Sequence, residues 1–117
     1  MAIATKRVYE PRSDSDGIRI LVDRLWPRGV RKEAAALDHW AKEIAPSPGL
    51  RKWFGHRPER FAQFEAKYLD ELSTNPAVDE ILGCIGRRKA TLLYAARDPG
   101  INHAAVLARF LRRAQQK

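Results

Sequence analysis

The sequence predicts an α/β protein: a small parallel or mixed sheet of about four strands flanked by helices, in a single domain spanning residues 1–117. Three observations carry this expectation. Ile18-Arg19-Ile20-Leu21-Val22-Asp23 and Thr91-Leu92-Leu93-Tyr94-Ala95-Ala96 are short, nearly continuous apolar runs, the pattern of strands covered on both faces. Three times a capping residue is followed by proline, at Ser47-Pro48, Asn75-Pro76 and Asp98-Pro99, which marks a helix start. Finally, 117 residues, 44% of them hydrophobic, supply one core. Strands alternating with helices need long crossovers, so hairpins are excluded for the main connections.

Ile3 to Tyr9 is the first strand. The turn-rich Ser13-Asp14-Ser15-Asp16-Gly17 leads into residues 18–23, the second. Leu37 to Ile44 is assigned a strand because Leu37, His39 and Ala41 alternate with Asp38, Trp40 and Lys42, although Ala34 to Ala36 just before it favour helix. Ser47-Pro48 opens a short helix with Leu50, Trp53 and Phe54 on one side. Pro58 to Ser73 places Phe61, Phe64, Tyr68, Leu69 and Leu72 at intervals of three and four, an amphipathic helix with its acids outward. Asn75-Pro76 starts a helix carrying Val78, Ile81, Leu82 and Ile85. Residues 91–96 form the last strand, a parallel neighbour of 18–23, and Asp98-Pro99 opens the final helix through Val106, Leu107, Phe110 and Leu111.

Charge and cysteine narrow the function classes. The 22 Lys and Arg against 14 Asp and Glu give +8, which favours anionic partners. The excess lies in 24–60 and 87–117. One cysteine, Cys84, excludes an internal disulfide framework and a zinc site of several thiolates, and a lone thiol fits a reducing compartment. Cys84 lies among Ile81, Leu82 and Ile85 and reads as a packing residue. His39 and His56 have no metal-ligand spacing, so no metal is assigned. No apolar run approaches the ~20 residues of a membrane helix, and MAIATKRVYE lacks a signal peptide's apolar stretch. A soluble, unprocessed, cytoplasmic chain with no membrane partner is the expectation.

In an open parallel sheet, ligands bind beyond the carboxyl ends of the strands. That rule selects Arg24-Leu25-Trp26-Pro27-Arg28-Gly29, Ala45-Pro46-Ser47-Pro48 and Arg97-Asp98-Pro99-Gly100-Ile101-Asn102-His103. Arg24, Arg28 and Arg97 suit a carboxylate or phosphate, which guanidinium groups bind bidentately, and the Trp26 indole can stack. The same residues have plainer readings, with Leu25 and Trp26 as core plugs and Asp23 paired to an arginine. Ser47 and Asp98 are helix caps first, but a capped helix N-terminus still offers N–H groups to an anion. Asp98 and His103 form a candidate acid–base pair. The chain has no phosphate-binding Walker loop, dinucleotide fingerprint or serine elbow, so no reaction or cofactor is specified.

The string Leu21-Val22-Asp23-Arg24-Leu25-Trp26-Pro27-Arg28-Gly29 resembles the signature of the YeaO-like family, short bacterial and archaeal proteins classed as a domain of unknown function. The resemblance continues through Asp38 with Trp40 to Ser47, Leu50 to Phe54 with His56, Phe64 with Tyr68, Glu71-Leu72, and Leu92 to Asp98 with Asn102. It covers about positions 3 to 112. It implies a compact α/β domain and brings no activity or cofactor. Arg57 replaces the family's usual aspartate before Pro58, and His103 stands where an asparagine is common, so Asn102 is the residue carried over.

The leading expectation is an α/β domain whose pocket at the strand carboxyl ends binds a small phosphate- or carboxylate-bearing ligand. Arg24, Arg28 and Arg97 hold it, and Trp26, Ser47, Asp98 and Asn102 shape the pocket. The alternative is a nucleic-acid-binding module using the basic surface, for which the sequence contains no named fold signature. The two separate on placement: a pocket gathers the arginines, whereas a nucleic-acid surface spreads them over a strip.

Overall fold

The two most apolar runs pair with each other, Ile18 opposite Ala90 and Leu21 opposite Leu93. In the computed structural model, which describes residues 3–116, the strands are β1 (Ile3–Arg7), β2 (Ile18–Leu21), β3 (His39–Trp40) and β4 (Ala90–Tyr94). Their order is β1-β4-β2-β3, and every pairing is parallel. Among the described residues there are five α-helices: α1 (Lys32–Ala35), α2 (Pro48–Phe54), α3 (Phe61–Leu72), α4 (Ala77–Ile85) and α5 (His103–Gln115).

Side-chain alternation in the central strands builds two cores. Ile18, Ile20 and Val22 join Leu92 and Tyr94 in the larger one, together with Phe54, Phe64, Tyr68, Ile81 and Leu107 from the helices. Leu21 and Leu93 face the other way, where Val8 is buried with them and Trp26, Val30, Leu37 and Trp40 close the cover. One residue breaks the apolar pattern of β2. Arg19 points to this second face and is buried, and its charge is met by Asp16 while Nε and Nη2 donate to the Ala35 carbonyl at 3.1 and 2.9 Å.

The capping signals sort differently from one another. Ser47 is an N-cap with Pro48 in the first turn, its Oγ accepting from Leu50 N at 3.3 Å. Asn75 caps from one residue further out, its Oδ1 accepting from Ala77 N at 2.9 Å. Asp98 does not open the last helix, contrary to the expectation from Asp98-Pro99. Its carboxylate closes a tight turn on Gly100 N and Ile101 N, at 2.8 and 3.1 Å, and the N-cap is Asn102, whose extended backbone lets Oδ1 accept from Ala105 N at 2.9 Å.

The expected strand over Leu37 to Ile44 shortens to His39–Trp40, because Lys42–Ile44 coils into a 3₁₀ turn. Hydrogen bonds from Asp38 N to Arg19 O and from Ala41 N to Leu21 O mark the limits of its pairing with β2. The helix expected over Pro58 to Ser73 begins as a 3₁₀ turn at Pro58–Arg60, and Arg57 gives it no side-chain cap.

Candidate functional site

Parallel pairing sends every strand's carboxyl end to one edge of the sheet, and a cleft of about 650 Å³ opens there. The loop leaving each strand adds to its lining: Tyr9 after β1, Asp23 to Arg28 after β2, Ala45 and Pro46 after β3, and Ala95 to Asp98 with Ile101, Asn102 and His103 after β4. Six of the seven residues expected at a site line it, namely Arg24, Trp26, Arg28, Arg97, Asp98 and Asn102.

Ser47 is not brought to the cleft. Its N–H and Oγ–H both donate to Glu71, at 2.9 and 2.6 Å, which ties the start of α2 to α3. Leu25, read as a core plug, is 64% exposed on the rim. Trp26 is half-buried, its Nε1 donating to Val30 O at 2.8 Å and its ring meeting Trp40 edge-on at 5.4 Å.

The candidate acid–base pair also changes partner. His103 lies in the first turn of α5 and joins Asp23, not Asp98, with Nε2 at 3.2 Å from Oδ1 and 3.0 Å from the Val22 carbonyl. A carbonyl only accepts, so Nε2 carries the hydrogen. The second Asp23 oxygen accepts from Ala95 N at 3.0 Å, so one carboxylate binds the ends of β2 and β4 to the last helix. Sequence reasoning had no means of pairing residues 80 positions apart.

Arg51 and His56 also line the cleft, from the end of α2 and the residue after its glycine cap. The strand-end rule misses both, because they arrive by a helix folding back: Phe54 stacks on Phe64 of α3 with ring centroids 4.2 Å apart.

Four arginines therefore share the cleft with two aspartates. The aspartates are engaged, Asp23 by His103 and Ala95 N, and Asp98 by its own turn. Among the described residues none of the four arginines forms an ion pair with an acid. Arg24 is held loosely, Nη2 lying 3.4 Å from the carbonyls of both Ala45 and Pro46, with Nε buried and lacking an acceptor. The lining contains no serine, threonine, cysteine or lysine, so those nucleophiles of covalent catalysis are missing from it. No group of three or more metal-ligating side chains occurs among the described residues, and none of their helices is long and apolar enough to cross a membrane.

Over residues 2–117 the chain matches the family DUF488-N3i, described as the inactive DUF488-N3 subclade. It is 50% identical over 113 residues to the uncharacterized protein YeaO of Escherichia coli (strain K12), an alignment covering 96% of this chain and 98% of that one. It is 43% identical over 109 residues to the uncharacterized proteins Mb3100c of Mycobacterium bovis and Rv3073c of Mycobacterium tuberculosis, covering 93% of this chain and 92% of each. The chain belongs to this family of YeaO-like domains. No solved structure matches it significantly.

Proposed function

We propose that the chain is a binding domain for a small organic anion, bearing phosphate or carboxylate, held in the cleft by Arg24, Arg28, Arg51 and Arg97. The observation that carries this reading is the set of four arginines lining one concavity without a carboxylate partner, while the aspartates beside them are spent on His103 and on backbone N–H groups. Guanidinium groups placed in this way gain most from a bidentate oxyanion. Trp26, Asp98 and Asn102 shape the loops that carry the arginines, Asn102 bonding both Asp98 O and Ala105 N. Binding without turnover accords with a lining that holds no serine, threonine, cysteine or lysine and with the word "inactive" in the family's description.

The basic tail favours this reading over a nucleic-acid strip. Arg109 is committed to Glu65 at 2.6 Å, and Arg112 Nε donates to Ile3 O at 3.1 Å.

Thermal unfolding in the presence of nucleoside monophosphates, sugar phosphates and small carboxylates tests the proposal. A bound anion at ~100 times its Kd adds about 2.7 kcal/mol and raises Tm by roughly 10 °C. No shift with any of them, together with tight duplex binding near physiological salt, would reverse the reading.

A further inference from the structure

The cleft is too large for a bare oxyanion. At about 650 Å³ it lies in the range that encloses a whole small organic molecule, ~300–1,000 Å³. Beside its arginines it presents an apolar wall that includes Pro46, Phe54, Pro58, Phe64 and Ile101. Free phosphate gains nothing from such a wall, whereas a ring joined to the anion buries its own apolar surface against it.

One residue on this side has no structural employment. His56 follows the glycine cap of α2 and adopts left-handed backbone, φ 57°, immediately after Gly55 at φ 54°. That conformation is disfavoured for residues with a Cβ, and glycine adopts it freely. The imidazole is exposed, makes no hydrogen bond or ion pair among the described residues, and meets a neighbouring ring only at Phe54, 6.0 Å away and tilted by 45°. Yet it lines the cleft. A strained position occupied by a side chain that the fold does not use points to a ligand contact.

Building on the anion-binding reading above, we infer that the cleft selects an oxyanion carrying a ring over the free ion, and that His56 packs against the ring. Calorimetric titration with methyl phosphate and phenyl phosphate, and in parallel with acetate and benzoate, compares equal head groups with and without a ring; the two pairs separate a phosphate ligand from a carboxylate one. Within at least one pair the ring-bearing probe should bind about ten-fold tighter or better. His56→Gly should erase most of that preference, leave the ring-free probe within about two-fold of wild type, and leave Tm without ligand unchanged or raised.

Equal affinities within both pairs would overturn the inference and leave the anion site standing. A preference that survives in His56→Gly, or a lowered Tm in that variant, would overturn the role of His56. If none of the four probes binds, the anion site and this inference fall together.

Discussion

Among the described residues Asp16 is the most heavily used carboxylate. It is 4% exposed and accepts from Lys6 Nζ at 2.7 Å, from Ser13 N at 3.0 Å and from buried Arg19. Burial alone would raise its pKa, but the bonds from Lys6, Ser13 and Arg19 outweigh it and bring the value down to about 2 from 3.8. A depressed carboxylate contributes stability that is full above its unfolded value and is lost as pH falls through its folded one. The protein should therefore lose stability between about pH 4 and pH 2, and Asp16→Asn should flatten that part of a Tm-against-pH curve. Asp16→Ala strands the Arg19 guanidinium in the interior and should cost about 3 kcal/mol in urea unfolding at neutral pH. A loss below about 1 kcal/mol would mean that Arg19 finds water.

The neighbouring Gly17 is irreplaceable for a different reason. At φ 67° a Cβ there would lie 2.3 Å from the Lys89 carbonyl oxygen, the group that accepts from Ile18 N at 2.9 Å and aligns β2 with β4. Gly17→Ala must push the strands apart, and Tm should fall more than for Gly83→Ala, where nothing lies within 4 Å of the added carbon.

At the scale of elements, caps decide how the loops sit around the cleft. Asn102 is 1% exposed and satisfies the first turn of α5 while its Nδ2 holds Asp98 O at 2.7 Å. Its replacement by alanine should cost about 1–2 kcal/mol in urea unfolding, more than Asp98→Ala, which releases only an exposed turn. Equal losses would show that the turn, not the cap, fixes the helix.

Capping and apolarity also mark how far the sequence alone is legible. Proline locks φ, so Ser47-Pro48 reads correctly by itself, and nearly continuous apolarity, interrupted in β2 by Arg19, reads correctly as the two central parallel strands. Asp98-Pro99 misleads because an aspartate before a proline serves a turn as readily as a helix, and the choice fell to Asn102 four residues later. The pairing of His103 with Asp23, and the arrival of Arg51 and His56 at the cleft, depend on how distant segments pack. Local spacing does not encode that.

Across the whole molecule, the parallel sheet brings four separate loops to one edge, and α2 packed on α3 supplies the remaining wall. The proposed anion site requires that charge act there rather than over the surface at large. Arg28 tests this with little structural disturbance, because its side chain is exposed and the fold uses only its carbonyl, which accepts from the Tyr9 hydroxyl at 3.0 Å. Arg113 is an exposed control near the end of α5. The most direct measurement is a calorimetric titration of wild type, Arg28→Ala and Arg113→Ala with phenyl phosphate at fixed ionic strength. Loss of a charge-assisted contact should weaken the Arg28 variant by about 1.5–3 kcal/mol and leave the Arg113 variant near wild type. Equal, small losses at both positions would contradict a localised site and return the charge to the surface at large.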